Sequence, residues 1–462
     1  MITRIKIDGF KSFRNFQMEF SPLTVIAGMN AAGKSNLFDA LHLLSRLAVM
    51  DLKKAFSGLR GEPIEQFTYY GDGQYANTMS FEVDLLVDQQ VKDDWDTEAV
   101  LVYTRLRYSV TIQRLDDQKE LSVIDEWLWP ILADDSWPSR YIPKTSIANW
   151  IPQKQLDYKL QFNTIGTGGA HAQDGGNGPF KTGTFQGTTV KRIRQTYLSG
   201  FNKADTPHFL AVREELRNWQ FPTLVPETLS RPSPYYSEDE PILSGENVAA
   251  VLNRIKAEDS FALRSIARKL TSLVPGLLDL DVVDDKANQQ YVIQVKSQNE
   301  RRFTSRVLSA GTLRLLALCI LTYDETFKGV LAFEEPENGI HPLRIKDVMD
   351  LLIELCTDFT KEPFPLRQVI INTHSTVLVK DTFTLTRSQT ATVWLAQLVS
   401  QATTIMDKRI TLPVTKILPV HAAQTSVHYA EAEIKLTAAQ VIKYLESAEA
   451  EALIFSLSHP NE

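Results

Sequence analysis

The chain has 462 residues, 43% hydrophobic and 23% charged, ordinary values for a globular protein. That length exceeds what one core usually organises, so two or three substructures are expected. A net charge of −7 excludes a general affinity for nucleic acid, while leaving room for a local basic face.

Met1 to Asp8 alternates like a strand and lacks the apolar core of a signal peptide. Ile5 to Phe20 reads as a hairpin that turns at Gly9 to Phe13. Leu23 to Ala27 is a short apolar strand running straight into Gly28-Met29-Asn30-Ala31-Ala32-Gly33-Lys34-Ser35. Lys34 to Met50 is then helical, with Leu37, Leu41, Leu44 and Ala48 on one face. Met79 to Val87 and Val100 to Ile112 alternate as strands of an antiparallel lobe.

Asp116 to about Asn247 differs in composition. It holds five of the seven tryptophans (Trp127, Trp129, Trp137, Trp150 and Trp219), many prolines, and a glycine-rich stretch from Gly166 to Gly187 expected to be a mobile loop. No long heptad array occurs there, which argues against a coiled-coil arm. Val248 to Leu273 is helical up to Pro275-Gly276, and Tyr291 to Val295 and Arg302 to Val307 are strand-like. Leu308-Ser309-Ala310-Gly311-Thr312 precedes an apolar helix, Leu313 to Leu321. Val330 to Phe333 is a buried strand ending in Glu334-Glu335-Pro336, and Val369 to Asn372 is another, ending in Thr373-His374-Ser375. Lys408 to Leu418 reads as a strand and Thr437 to Ala450 as a helix. No run reaches the roughly 18 apolar residues a membrane helix needs. Cys319 and Cys356 lie in apolar runs without metal-ligand spacing, so reduced thiols in a cytoplasmic protein are expected.

Gly28 to Ser35 matches G-x-x-x-x-G-K-[ST], and strand–loop–helix is the context that pattern requires. The glycines let successive N–H groups face phosphate oxygens, and the helix N-terminus adds partial positive charge. Lys34 can reach β- and γ-phosphates, and the Ser35 hydroxyl can ligate Mg²⁺. Side chains alternate along a strand, so Glu334 and Glu335 cannot share one task. Ser309 and the Gly311 amide, at a helix N-terminus, suit a γ-phosphate, although Ser-Ala-Gly alone is only a capping signal. Lys191-Arg192-Ile193-Arg194, and Arg301, Arg302 with Arg306, are either phosphate contacts or solvated basic faces.

Together these segments resemble, in order, the Walker A, signature, Walker B and His-switch motifs of ABC-type ATPases. The pattern is most similar to the SMC/RecF-like branch, notably the predicted ATPases related to the OLD and Septu families. Gly9-Phe10-Lys11-Ser12-Phe13, Gly33 to Asn36, Leu216 to Trp219, Ser244 to Val248 and Glu334 to Pro342 carry that similarity. It implies an α/β, ABC-type head split by an inserted, mainly helical or irregular region, with a small C-terminal α/β extension. The implied division is 1–115 and 261–398 for the two halves of the head, 116–260 for the insertion and 399–462 for an adaptor.

The resemblance also implies site roles. ATP would lie on Asn30, Ala31, Ala32, Gly33, Lys34, Ser35 and Asn36, and Mg²⁺ on Ser35 and Glu334. Glu335 would polarise the attacking water, with His374 sensing the γ-phosphate and fixing Glu335. Ser309 and Gly311 would serve the ATP of a second copy. Gln66 is a candidate Q-loop ligand of the metal, although a surface glutamine is the plainer reading. Glu at the first Walker B position departs from the commoner Asp and lengthens the reach to the metal.

Many relatives are the ATP-driven component of anti-phage systems. The expected partners are therefore further copies of the chain, a separate nuclease or toxin effector, and nucleic acid as a further candidate. OLD-type members carry a TOPRIM nuclease, but after Thr376 the acids, among them Asp381, Asp407, Glu431 and Glu433, form no Asp-x-Asp, so none is expected here. The alternatives are a DNA-repair or replication-associated ATPase without an effector, and an ATP-assembled scaffold.

Overall fold

The computed structural model describes the chain except residues 116–119, 133–134, 153–158, 166–168, 176–182, 186–192, 238–244, 362–365, 386–390, 406–407, 422–435 and 448–462; for 159–165, 169–175, 183–185, 385, 405, 408, 421 and 436 it describes the backbone alone. Strands β1 (Ile2–Asp8) and β2 (Phe16–Glu19) form the expected hairpin, with Ile5 opposite Met18. Ile5, Ile7, Phe16 and Met18 are buried, and a slip of one residue would expose them, so the register is fixed. Strand β3 (Leu23–Ala27) is buried throughout, as a strand covered on both faces must be. It passes through the 28–33 loop into helix α1 (Lys34–Leu47). Strands β4 (Thr78–Leu86) and β5 (Arg105–Leu115) extend the hairpin sheet antiparallel.

The insertion joins the expected helical and irregular segments to strands that the sequence reading did not single out. It contains β6 (Glu120–Pro130), an 11-residue strand paired along β5. A register shift between Val123 and Asp125 moves the inward positions by one residue, which hides the period of two from a reading of the sequence. Backbone strands Lys159–Ile165, Gly169–Gly175 and Gly183–Phe185 continue the sheet, so the glycine-rich stretch is extended where it is described, and the rest of it lies outside the described residues. Helix α2 (Pro207–Arg217) follows. Trp137, Trp150 and Trp219 are buried as packing residues.

The helix expected over 248–273 is two helices, α3 (Val248–Glu258) and α4 (Ser260–Leu273). Asp259 separates them: its backbone is extended, and its carboxylate caps α4 by accepting from the Phe261 N–H. Strands β7 (Leu277–Asp285) and β8 (Gln290–Ser297) pair antiparallel. Then come α5 (Ala310–Tyr323), β9 (Gly329–Glu334), α6 (Ile345–Leu355), β10 (Arg367–Thr373), α7 (Thr376–Leu385), β11 (Ala391–Ile405) and β12 (Lys408–His421).

The central sheet has the order β9–β10–β3–β11–β12, with Leu436–Thr437 beyond β12. Its first four strands are parallel and β12 returns antiparallel. The expected boundary at 398/399 therefore falls inside β11, and the segment read as an adaptor supplies an edge of the central sheet. Polar residues Gln397, Ser400 and Gln401 break the apolar run there, but pairing with β12 continues past them. A helix over 438–447 lies within the expected 437–450.

This sheet separates two cores. Ile26, Val330, Ala332 and Ile370 face the core shared with α1, α2 and the antiparallel sheet. Leu23, Val25, Leu331, Phe333, Val369 and Ile371 face the core built by α3 to α6. Among the described residues, no helix is long and apolar enough to cross a membrane.

Candidate functional site

Parallel strands end on the same edge, and the pairing here is in register. Glu334 of β9 lies opposite Asn372 of β10, and Thr373 of β10 lies opposite Ala27 of β3. The 28–33 loop, the two glutamates and His374 therefore emerge side by side, at the carboxyl ends where open α/β sheets place their ligands. Gly33 is the cap that precedes α1, at φ 86°, and a Cβ there would lie 1.9 Å from Thr415 Oγ1. Glycine is the residue that meets both conditions. Asn30 and Ala31 are exposed and Ala32 is buried. Lys34 Nζ folds back on the Gly28 and Met29 carbonyls at 2.5 and 2.8 Å. Burial pulls the Lys34 ammonium below its ordinary pKa, opposed by the charges of Glu335, Glu337 and Glu334.

The glutamates part company as their alternation requires. Glu334 Oε2 accepts from Ser35 Oγ at 2.5 Å and from Asn372 Nδ2 at 3.0 Å. Glu335 turns left-handed, at φ 46°, a conformation that surrounding bonds must hold. Its N–H donates to the Asn372 side chain at 3.0 Å, its Oε2 accepts from Asn338 Nδ2 at 2.6 Å, and its Oε1 lies 3.2 Å from His374 Nδ1. Asn372 thus holds both glutamates at once. Behind them, buried Glu337 bonds Thr373 Oγ1, while its Oε2 has no hydrogen-bond partner among the described residues; burial raises its pKa.

Arg60 also reaches this cluster. Its Nη2 contacts Glu334 Oε1 at 3.4 Å, Asp39 Oδ1 at 3.0 Å and the Ser35 carbonyl at 3.3 Å. Asn372 and Glu337 lie inside the Asn372–Ser375 and Glu334–Pro342 segments, which assigned them no role of their own, and Arg60 lies in no segment that sequence reasoning singled out. Gln66 is not the surface glutamine of the plainer reading, and its buried Oε1 has no hydrogen-bond partner among the described residues. It is fully buried, and its Nε2 donates to the carbonyls of Arg60 and Glu62, at 2.8 and 3.3 Å, rather than to the Ser35–Glu334 pair. It shapes the Arg60 turn from below.

Ser309 caps α5, accepting from the Thr312 N–H at 3.2 Å, and stands exposed. Among the described residues its side-chain bonds stay within its own helix and do not reach the 28–36 loop. A Cβ at Gly311 would lie 3.0 Å from the Gly339 carbonyl, so the start of α5 packs on the turn that follows Glu335.

A family profile described as "AAA domain, putative AbiEii toxin, Type IV TA system" matches residues 23–380, more than half the chain. The chain belongs to this family. A Helicobacter pylori protein described as an ATP/GTP phosphatase is 34% identical over 79 residues, which cover 15% of this chain and 21% of that protein. The match thus spans about a fifth of that relative. Among solved structures, the SMC head domain from Thermotoga maritima aligns with 91% of this chain and 99% of its own, at 14% identity and a TM-score of 0.40. An Smc head bound to the C-winged helix domain of ScpA aligns with 90% of this chain and 98% of its own, at 14% identity and a TM-score of 0.47.

The donor set fits a small hard cation. The Ser35 hydroxyl and the Glu334 carboxylate are oxygen donors already in contact, and Mg²⁺ favours a carboxylate, a hydroxyl and phosphate oxygens with retained waters. The loop, with Lys34 inside it and the α1 N-terminus behind it, fits a polyphosphate.

Proposed function

We propose that the chain is a Mg²⁺-dependent ATPase whose sites are completed by a second copy, and that it controls a separate effector in a cytoplasmic anti-phage defence complex. The observation that carries the ATPase reading is the register of β9, β10 and β3, which aligns the Lys34 loop, Glu334, Glu335 and His374 along one edge. Lys34 would leave the Gly28 and Met29 carbonyls for the β- and γ-phosphate oxygens. Ser35 and Glu334 would hold Mg²⁺, which when bound neutralises phosphate charge. Glu335, fixed by His374 and Asn338, would orient the attacking water and accept its proton. The exposed Ser309 end of α5 would face the γ-phosphate of a second copy. The defence role is supported by the family's description, which names a putative toxin and a type IV system.

A DNA-associated ATPase without an effector is the second reading. The exposed Arg301, Arg302 and Arg306 favour it, and nucleic-acid-stimulated turnover of the isolated chain would select it.

Calorimetry and single-turnover kinetics test the ATPase reading. Lys34→Ala should abolish tight ATP binding. Glu335→Gln should keep ATP bound and lose about 10²–10⁴ in rate, the usual contribution of a positioned base. Unchanged affinity in the first variant, or near-normal turnover in the second, removes those roles.

A further inference from the structure

A chain of hydrogen bonds reaches the phosphate loop from the far edge of the central sheet. Thr415 lies on β12 with its side chain buried. Its N–H donates to the Ser12 carbonyl at 3.0 Å, and its hydroxyl donates to the Ala32 carbonyl at 3.3 Å and lies 2.6 Å from Ser12 Oγ. Ser12 Oγ in turn accepts from Asn36 Nδ2 at 2.7 Å. Each hydroxyl has one proton to give. With Thr415 donating to Ala32, the Ser12 proton must go to Thr415. The relay therefore has one direction, from Asn36 through Ser12 and Thr415 to Ala32, and both of its ends are on the nucleotide loop and its helix.

The loop needs such a brace. Ala31 and Gly33 both have left-handed backbones, at φ 61° and 86°, and a left-handed alanine persists only where its surroundings hold it. The bonds Lys34 makes to Gly28 and Met29 cannot supply that hold during turnover, because the same ammonium must move to the phosphates. The bond from Ser35 to Glu334 must likewise give way to a metal. The Thr415 relay uses neither group, so it survives nucleotide binding. Contact is also close: a Cβ at Gly28 would lie 2.7 Å from the Ala396 carbonyl of β11, and one at Gly33 would overlap Thr415.

We propose that Thr415 is a positioning residue for the nucleotide: its hydroxyl holds the 28–36 loop in phosphate-ready shape, which makes the β11–β12 hairpin part of the ATP site. This rests on the reading of 28–36 as an ATP loop. The test is calorimetry of the full chain with Mg²⁺ and a non-hydrolysable ATP analogue, together with steady-state kinetics. Thr415→Val keeps the shape and removes the hydroxyl. It should weaken binding about tenfold and raise KM in proportion, with kcat at saturation within about threefold of the parent. Thr415→Ser, which keeps the hydroxyl, should recover the parent affinity to within about threefold. Ser12→Ala breaks the same relay at its other joint and should weaken binding in the same direction, which covers the case in which Thr415→Val does not fold. Parent-like binding by Thr415→Val, or Thr415→Ser as weak as the valine variant, overturns the proposal. Lys34→Ala in the same titration separates the two readings. If Lys34→Ala loses binding while Thr415→Val does not, the ATP site stands and this proposal falls. If Lys34→Ala binds like the parent, the ATP reading itself fails.

Discussion

Asn372 holds the Glu334 side chain and the Glu335 backbone together. Its amide donates to Glu334 Oε2, and its side-chain oxygen accepts from the Glu335 N–H, so one residue fixes the proposed metal ligand and the proposed base together. Asn372→Leu keeps the approximate size and removes both side-chain bonds, while the Glu335 N–H keeps the Asn372 backbone carbonyl at 3.1 Å. Hydrogen bonds to charged groups contribute about 1.5–3 kcal/mol, so a loss of at least about tenfold in single-turnover rate is expected, with ATP affinity changed much less. A rate within about twofold of the parent would show that the glutamates are held by other means. Lys34, Ser35, Glu334, Glu335 and His374 were legible in the sequence because each sits at a strand end or loop where spacing alone restricts its neighbours. Asn372, Arg60 and Glu337 were not, because their parts arise from contacts across elements far apart in the chain. Gln66 shows the converse. The plainer reading put it on the surface, and it is fully buried with its amide on the Arg60 carbonyl.

At the scale of elements, the insertion is attached to the site by backbone. The Gln220 N–H donates to the Val330 carbonyl at 2.7 Å, and the Ala332 N–H donates to the Gln220 carbonyl at 2.8 Å, adding one more parallel bridge outside β9. Gln220→Pro removes that donor and leaves a buried carbonyl unpaired at a cost of about 1–3 kcal/mol, whereas Gln220→Ala keeps both bonds. Only the proline variant should therefore unfold at lower denaturant concentration, and equal midpoints for the two would show that the bridge contributes nothing.

A second attachment is Glu126 on β6, buried and accepting from the Tyr197 and Leu198 N–H groups and the Tyr108 hydroxyl. Burial raises its pKa from the ordinary 4.5 to about 7, outweighing those donors. The folded chain thus holds this proton more tightly than the unfolded chain does. Its contribution to stability is complete below about 4.5 and is lost as pH rises through about 7. Glu126→Gln should flatten the melting temperature against pH across that window, and an unchanged slope would assign the dependence to another group. The strand that carries Glu126 was hidden from sequence reading by its shifted register. Parallel strands β3, β9 and β10 were plain, because burial on both faces leaves an uninterrupted apolar run, whereas β11, interrupted by Gln397, Ser400 and Gln401, was not read as a strand.

At the scale of the whole molecule, the question is whether one chain can complete its own site. Ser309 is exposed at the start of α5 and bonds only within that helix among the described contacts, while Lys34, Glu334 and Glu335 cluster at the strand ends. If a second copy supplies Ser309, a Ser309→Arg chain spoils its neighbour's site and leaves its own loop intact. A Lys34→Ala chain has the complementary defect. Each variant alone should be inactive. A heterodimer of the two pairs the normal loop of the Ser309→Arg chain with the normal Ser309 of the Lys34→Ala chain, restoring one of its two sites. Random pairing makes half of the dimers heterodimers, so an equimolar mixture should recover about a quarter of the parent's activity if one site fires alone. Normal hydrolysis by purified Ser309→Arg would show that the site is not shared. Two inactive variants that never complement would mean obligate coupling of the sites or a different role for Ser309. Trapping the mixture with Glu335→Gln in the Ser309→Arg chain decides between these, because retention of ATP on that chain requires only that its loop and the partner's Ser309 meet.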